Sequence, residues 1–365
     1  MINSDWEGPW VTADHAFDIM RQGIEGGEQL FAAISAYDDY LAYVVNKQDY
    51  EPGNTLALIA PFLIAFGLDD DFLTARAKDN ANFIAGSIKA IEMLRRNCNY
   101  SMNIISTSYH QYVHYSTFLA GIPVENTYCT WFPIDDYARN ISDMDKTMVR
   151  QMAGTILSMP EMDISMDTDP GEMDDTVVGA LQQMDNFFWD ELPSTGFSKI
   201  LKDVRPVGGT RKYEAVTSAL KKEDTGLECS ATIGDSITDW KMLKKTREAD
   251  GLALSFNGNE YAISNCNVAV MSGNCMVTAL LVDVFERNGI EAIEALVTDW
   301  GWGAIKALHA QGGVDDSIYH AFRQAFTGSE FPHVVWMTPE NMDETTRISK
   351  HYRRSVRGTQ IGALG

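Results

Sequence analysis

The sequence predicts an α/β protein whose core has three layers, α/β/α, around a parallel sheet. Short apolar segments at residues 1–4 and 229–234 each lead into an acidic motif, DWEG at residues 5–8 and GDSITD at residues 234–239. Stretches with apolar residues at i, i+3 and i+4 spacing, typical of helices, separate the two motifs. Because open α/β sheets place their chemistry at the carboxyl ends of parallel strands, the two motifs predict one active site.

Four carboxylates belong to these motifs: Asp5, Glu7, Asp235 and Asp239. If they converge at one edge of the sheet, they repel one another strongly unless a hard cation neutralises them. Mg2+ prefers carboxylate oxygens and water as ligands. The sequence therefore predicts Mg2+ as the cofactor and these four residues as its candidate ligands.

Two further segments complete the pattern. Residues 102–108 (MNIISTS) have the character of a strand that ends in hydroxyl side chains, with Ser106 as the first candidate and the two hydroxyl residues after it as alternatives. Residues 208–212 (GGTRK) place Lys212 at the start of a predicted helix. The chain thus offers an aspartate, a hydroxyl, a lysine and a second acidic motif, in that order.

This order resembles the haloacid dehalogenase (HAD) superfamily, whose members are mostly Mg2+-dependent phosphatases. The chain is most similar to the phosphoserine phosphatase-like group, including the bifunctional phosphoserine phosphatase/homoserine phosphotransferase type, which also has Glu at the position of Glu7. A narrower resemblance, to an archaeal branch labelled subunit R of energy-converting hydrogenase A, rests on residues 34–42 (ISAYDDYLA), 54–56 (NTL) and 60–63 (APFL). The resemblance to the phosphoserine phosphatase-like group implies a HAD-like Rossmannoid core with a helical cap inserted after the first strand.

The resemblance implies distinct roles for the two carboxylates of the first motif. Asp5 would attack a phosphomonoester and form an aspartyl phosphate, which divides a slow hydrolysis into two easier steps. Glu7 lies on the same side of an extended segment as Asp5 and would act first as general acid and then as general base. The backbone carbonyl of Glu7 would also bind Mg2+.

The other motif residues would serve the cation and the phosphoryl group. Asp235 would bind Mg2+ directly, and Asp239 would hold its water shell or orient Lys212. Ser106 would donate a hydrogen bond to a phosphoryl oxygen, and Lys212 would balance the charge of the transferring group.

The composition excludes several classes of partner. With 51 acidic and 29 basic residues, the net charge of -22 repels nucleic acids and anionic lipid surfaces alike. The longest apolar stretch, residues 55–68, contains Pro61 and falls well short of the roughly 20 residues that span a bilayer, so we expect no membrane insertion. Five scattered cysteines without CxxC spacing, and no secretory leader before Asp5, predict a cytoplasmic protein.

Periodicity and turn residues predict the elements in order. Helices are expected at residues 16–20, 30–45, 55–66, 70–96, 107–119, 144–157, 176–192 and 212–220. Strands are expected at residues 102–108, 127–132, 229–235, 252–256 and 268–271. The chain then divides into a catalytic core at 1–13, 81–135 and 205–280, a helical cap at 14–80, a helical insertion at 136–204 and a helical C-terminal extension at 281–365.

Two regions carry more specific expectations. The acidic loop at residues 161–175 joins the two helices of the insertion, which is either a further cap element or a contact surface. Near the C-terminus, Arg353, Arg354 and Arg357 are expected to form a solvated or subunit-contacting tail.

Taken together, these features predict an archaeal-type cytoplasmic HAD phosphatase that hydrolyses a small phosphorylated metabolite similar to phosphoserine. Two alternatives remain. One is phosphoryl transfer to a small hydroxyl acceptor, and the other is a non-catalytic HAD-fold subunit associated with a hydrogenase complex. Neither nucleic acid nor membrane is an expected partner, and a homo-oligomer is left open.

Overall fold

A mostly parallel sheet lies at the centre of the structure, a computed structural model that describes residues 1–48, 50–164, 168–359 and 361–363. Among these residues the sheet has seven strands: β1 (Ile2–Ser4), β2 (Met102–Tyr109), β3 (Thr127–Thr130), β4 (Ala231–Gly234), β5 (Leu252–Phe256), β6 (Val268–Met271) and β7 (His333–Trp336). The strand order is β3-β2-β1-β4-β5-β6-β7. Only the β6–β7 pair is antiparallel among these described strands, so the predicted α/β fold with a parallel sheet is confirmed.

The register of the central strands brings the sequence motifs to one edge. β1 lies between β2 and β4, with Ile2 opposite both Met102 and Ala231. Because these strands run in the same direction, their carboxyl ends meet at the same edge of the sheet. The segments that follow β1 and β4 are the two acidic motifs, so the topology alone places them side by side.

Helices account for most of the remaining chain. Before β2 lie α1 (His15–Gly23), α2 (Gly27–Asp39), α3 (Thr55–Ala65), α4 (Asp70–Asp79) and α5 (Ser87–Glu92). Between β2 and β4 lie α6 (His110–Leu119), α7 (Ile134–Ala138), α8 (Asp143–Leu157), α9 (Asp175–Asp185), α10 (Ile200–Asp203) and α11 (Thr210–Lys222). After β4 come α12 (Trp240–Glu248), α13 (Glu260–Asn265), α14 (Met276–Asn288), α15 (Ile290–Thr298), α16 (Trp302–Ala310), α17 (Asp316–Phe326) and α18 (Met342–Arg357).

Helices cover both faces of the sheet. Alternate residues of a strand point to opposite faces, as β5 illustrates. Leu254 belongs to the large apolar cluster that includes the buried residues of α14, whereas Ala253 packs with Leu243 of α12 and Ala262 of α13. The sheet is therefore the middle of three layers, and its strands are apolar on both sides, as parallel strands usually are.

The cap and the insertion share a second apolar cluster. In α3 every residue from Thr55 to Ala65 is buried. Its Phe62 ring lies 5.9 Å from the ring of Phe187 and 6.2 Å from that of Phe188, both in the segment that follows α9. Residues of α8, α9 and α10 belong to the same cluster. The insertion therefore packs against the cap and thickens it, while residues 165–167 of its acidic loop lie outside the described residues.

The C-terminal region is mainly helical, as predicted, but it also supplies β7. This strand is only four residues long and sits at the edge of the sheet beside β6. A segment this short gives too few positions for a period of two to stand out, so it was not predicted. α18 then runs back over β6 and α13. None of the described helices is both long and apolar enough to cross a membrane.

Phe62→Ala should lower the stability of the protein by about 3–5 kcal/mol, because it removes a fully buried ring from the cap cluster and leaves a cavity. Phe118→Ala is the matched control, since the Phe118 side chain is 75% exposed and its truncation should change stability by less than about 0.5 kcal/mol. Urea denaturation followed by circular dichroism measures both. Equal effects of the two substitutions would contradict the shared cap and insertion core.

Candidate active site

Asp5 lies immediately after β1, at the carboxyl edge of the sheet. Its N–H donates to the carbonyl of Ile233 at 2.9 Å, which continues the pairing of β1 with β4 by one step. Its side chain is buried, with Oδ1 accepting from the N–H of Trp6 at 2.7 Å and Oδ2 2.7 Å from Nζ of Lys212. The sheet therefore positions this carboxylate, and two donors orient it.

Lys212 is a wholly buried cation in the first turn of α11. Its Nζ lies 2.7 Å from Asp5 Oδ2 and 2.7 Å from Asp239 Oδ1. Burial alone lowers the pKa of a lysine, but these two carboxylates outweigh it and hold the pKa of Lys212 above its ordinary value. In turn, burial and the proximity of Asp239 raise the pKa of Asp5 to about 8, against the lowering influence of Lys212.

Asp239 fixes the loop of the second acidic motif. Its Oδ2 accepts from the N–H groups of Asp235 and Ser236 at 2.9 and 3.0 Å, while its Oδ1 accepts from Lys212. A carboxylate that receives backbone donors from the residues before it holds the start of a helical turn, in the manner of a capping box. Asp239 thus links the loop after β4 to the lysine of α11.

Gly8 allows the loop after Asp5 to pass directly against Asp235. Its φ of +101° lies in the region that favours glycine, and a Cβ at this position would lie 2.0 Å from Asp235 Oδ2. Its N–H donates to the carbonyl of Val11 at 2.9 Å, which closes a tight turn. Any larger residue would push the two acidic motifs apart.

Asp5, Asp235 and Asp239 together form a cluster that suits a hard cation. One carboxylate oxygen from each lies within 4.8 Å of the others, and all three side chains are buried. Mg2+ binds carboxylate oxygens with octahedral geometry, so the donor type fits. The Glu7 carboxylate is not part of this cluster, and the binding of Mg2+ by the Glu7 backbone carbonyl stays a prediction.

The Glu7 carboxylate faces the start of α1. Its Oε1 accepts from the N–H of His15 at 2.8 Å. Burial, followed by the negative charge of Asp14, raises the pKa of Glu7 well above its ordinary value. A carboxyl group with a raised pKa holds its proton to higher pH than an ordinary glutamate does, so its environment suits a general acid.

Ser106 is a buried residue of β2 and lines a pocket together with Asp5 and Asp235. Its Oγ accepts from the N–H of Ser108 at 3.2 Å, and its hydroxyl hydrogen has no acceptor among the described residues. The Thr107 hydroxyl donates to the carbonyl of Val207 at 3.0 Å. The Ser108 hydroxyl is buried and has no hydrogen-bond partner among the described residues. Of the three hydroxyls, those of Ser106 and Ser108 are therefore the ones that can serve a ligand.

The expectation that Arg353 and Arg357 form a solvated tail is wrong. Both lie on the inner face of α18 and pair with Asp235, with Arg357 Nη1 3.1 Å from Asp235 Oδ2. Arg354, between them, is exposed as expected. The i, i+4 spacing puts the first two on one side of the helix, which was the signal that sequence reasoning missed.

The pocket that these residues share has a volume of about 130 Å3. Its core side carries the acidic motifs, the β2 hydroxyls and the two arginines, and its cap side carries Phe31, Ser35, Asp38 and Asp39. Burial and the neighbouring Asp38 raise the pKa of Asp39 to about 8. None of the cap-side residues was predicted as part of the site. Ser35, Asp38 and Asp39 belong to the segment at residues 34–42 that carries the narrower resemblance, but that segment does not indicate a ligand.

Asp38 organises the cap wall of this pocket. Its Oδ1 accepts from the Tyr50 hydroxyl at 2.5 Å, and its Oδ2 accepts from the N–H of Gly53 at 3.0 Å and the hydroxyl of Thr55 at 2.8 Å. These bonds tie the end of α2 to the loop before α3. The wall is therefore held by a satisfied carboxylate and not by packing alone.

The fold of the whole chain is similar to that of a solved structure. No family model matches the chain, and no curated protein matches it. The structure of gene product AF1437 from Archaeoglobus fulgidus is similar over 100% of this chain and 98% of that one, with 25% identity and a TM-score of 0.79. A substrate-bound phosphoserine phosphatase complex is similar over 75% of this chain and 93% of that one, with 14% identity and a TM-score of 0.46. The likeness to the archaeal protein includes the cap, the insertion and the C-terminal region.

His15 should make the protein sensitive to acid. Its ring is buried, stacks on Tyr112 with ring centroids 4.7 Å apart, and has no hydrogen-bond partner for either nitrogen among the described residues. Burial lowers the pKa of His15 to about 3. The unfolded chain binds a proton there below about pH 6.5. Stability should therefore be full above that pH and fall by about 1.4 kcal/mol per pH unit on acidification toward pH 3.

The measurement is the melting temperature of the natural protein and of His15→Phe at pH 7 and pH 5. His15→Phe should lose less stability than the natural protein between these values. His351→Phe is the control, because His351 is exposed on α18 and its replacement should leave the acid response unchanged. An identical acid response in all three proteins would contradict the proposed role of buried His15.

Proposed function

We propose that this protein is a Mg2+-dependent phosphatase of the HAD type that hydrolyses a small phosphomonoester through an aspartyl phosphate on Asp5. One observation carries the proposal: a buried lysine bridges Asp5 and Asp239 at 2.7 Å each, and both carboxylates share a cluster with Asp235. A surface-exposed acidic cluster has many explanations. A buried one that contains a lysine, at the carboxyl edge of a parallel sheet and open to a pocket, fits nucleophilic catalysis.

In the first step, a carboxylate oxygen of Asp5 forms a bond to phosphorus while the bond between phosphorus and the ester oxygen breaks. The leaving oxygen takes the proton of Glu7, whose raised pKa favours the protonated form. The charge on the phosphoryl oxygens is met by Lys212 and by the hydroxyl of Ser106 or Ser108. Asp5 must be ionised to attack. Its contact with Lys212 favours that state but does not outweigh burial and Asp239, which raise the pKa of Asp5 to about 8, and a divalent cation held by the cluster would favour ionisation further.

In the second step, water attacks the aspartyl phosphate and gives its proton to the Glu7 carboxylate. The bond between phosphorus and the Asp5 oxygen breaks, inorganic phosphate leaves, and both carboxyl groups return to their starting states. Mg2+, held by Asp5, Asp235 and Asp239, would neutralise charge on the phosphoryl oxygens when bound. His15 fixes Glu7 through its backbone N–H, so the acid does not swing freely.

The pocket volume supports a small substrate. A pocket of about 130 Å3 favours a small ligand at the reacting end. The cap covers this end of the core, which limits the access of bulk water. Phosphoserine-like metabolites are therefore the first substrates to test.

Asp5→Asn should abolish phosphate release, by about 1000-fold or more, because the amide cannot act as the nucleophile. The measurement is phosphate release from a panel of small phosphomonoesters, with Mg2+ and with chelator. Asp136→Asn, an exposed aspartate on α7, is the matched control and should retain full activity. Release that survives Asp5→Asn would overturn the proposal. Consumption of ester without phosphate release, in the presence of a hydroxyl acceptor, would indicate a phosphotransferase.

Glu7→Gln should slow the second step more than the first for substrates with a good leaving group, because glutamine cannot take the proton from water. Covalent phosphate should then accumulate on the protein. Intact-protein mass spectrometry after rapid acid quenching detects the added phosphate, and the double variant Asp5→Asn/Glu7→Gln should show none. Full turnover by Glu7→Gln without any phosphoenzyme would remove Glu7 from the mechanism.

A further inference from the structure

Two arginines from the C-terminal helix converge on a single oxygen of Asp235. Arg353 Nη1 pairs with Asp235 Oδ2 and also donates to the Asp235 backbone carbonyl at 3.0 Å. Arg357 Nη1 lies 3.1 Å from the same Oδ2. The contacts span more than a hundred residues of sequence, so they reflect the fold and not local chain geometry.

Further hydrogen bonds fix the position of Arg357 and of α18. Arg357 donates through Nε to the carbonyl of Thr12 at 3.3 Å and through Nη2 to the carbonyl of Ala13 at 3.0 Å. The hydroxyl of Ser349, one turn before Arg353, donates to the carbonyl of Gly258 at 2.7 Å and anchors α18 on the core. Arg357 therefore connects α18, the loop after the first acidic motif and the second acidic motif.

The arginines change the charge balance of the carboxylate cluster. Lys212 already contacts Asp5 and Asp239, and the two arginines contact Asp235. Repulsion among the carboxylates is thus offset by side chains of the protein itself. A divalent cation at Asp235 would have to compete for an oxygen that already has two donors.

We infer that Arg353 and Arg357 are positioning residues of the metal site that compete with a divalent cation for Asp235 and so set the affinity of the site for it. This inference rests on the proposed function in one respect, the assignment of Asp235 as a metal ligand. Arginine suits such a role because its planar fork binds carboxylate and carbonyl oxygens at the same time and keeps its charge at all physiological pH values.

The competition has a consequence for the pocket. The contacts of Arg357 with the Thr12 and Ala13 carbonyls do not depend on Asp235. Its guanidinium therefore keeps two anchors when a cation takes the carboxylate oxygen, and it remains a wall of the pocket. When a cation replaces Arg357 at Asp235, only the loss of the Arg357–Asp235 contact costs free energy.

The test is calorimetric titration of the full-length protein with MgCl2 and with MnCl2, without any phosphoester. Arg357→Gln should bind the cation about fivefold more tightly or better than the natural protein, since a guanidinium–carboxylate contact no longer has to be broken. Arg357→Lys should give most of this gain, because a lysine keeps the charge but has no fork to reach Asp235 and both carbonyls. Asp235→Asn should abolish binding of the cation at this site.

Arg354→Gln is the matched control, since Arg354 lies on the same helix but is exposed, and its affinity should equal that of the natural protein. The Arg357 side chain is almost as buried as that of Arg353, so thermal denaturation of each variant verifies folding before titration. Arg357→Lys keeps the positive charge of Arg357 but loses its contact with Asp235, so it separates the effect of the charge from the effect of the contact.

Three outcomes decide between the claims. Tighter binding by both Arg357 variants, with Arg354→Gln unchanged, supports competition at Asp235. Cation binding that needs Asp235 but is unaffected by Arg357→Gln, or equally tightened by Arg354→Gln, overturns the inference and leaves the proposed metal site intact. A natural protein whose cation binding is unchanged by Asp235→Asn overturns both the metal site and the inference.

Discussion

The ammonium group of Lys212, enclosed between Asp5 and Asp239, is the interaction on which the rest of the site depends. Burying an unpaired carboxylate costs several kcal/mol, and here one cation compensates two of them at 2.7 Å each. The three residues come from the end of β1, the start of α11 and the loop after β4. A single ammonium group thus joins three elements that are distant in sequence, and it does so where the nucleophile is expected.

This arrangement relies on the register of the sheet. β1 and β4 are neighbours, and the N–H of Asp5 bonds to the carbonyl of Ile233, so the two acidic motifs start from adjacent, aligned strand ends. Gly8 then lets the loop after Asp5 turn without a side chain, at a point where Asp235 leaves no room for one. Sheet geometry brings the carboxylates together, and the glycine keeps the approach close.

Much of this was predictable because the signals are local. A carboxylate motif after a short apolar strand is visible in the sequence, and parallel topology then requires Asp5 and Asp235 to meet. The helical cap between β1 and β2 follows in the same way from apolar spacing. The fold class, the parallel sheet and most helices were therefore within reach of sequence reasoning.

The missed features either lack a local signal or, like the i, i+4 spacing of Arg353 and Arg357, have one that does not tell which side of the helix faces the core. Basic residues at the end of a chain usually indicate a solvated surface, and only the packing of α18 on the core shows that Arg353 points inward. The strand β7 is too short to show a period, and Asp38 gains its role only through contacts with Tyr50 and Thr55 across a loop. Each of these depends on which side of an element faces the core, which is decided by tertiary contacts.

The finished pocket is chemically polarised, and this polarity constrains how any phosphorylated ligand can lie in it. The core end presents Lys212 beneath Asp5, together with Arg353 and Arg357, whereas the cap end presents Asp38 and Asp39. A phosphoryl group is attracted to the cations at the core end, whereas Asp38 and Asp39 offer it no positive charge at the cap end. The part of the ligand that carries hydroxyl or ammonium donors meets acceptors at the cap. Under the proposed function, this asymmetry favours the orientation in which the phosphoryl group is directed at Asp5.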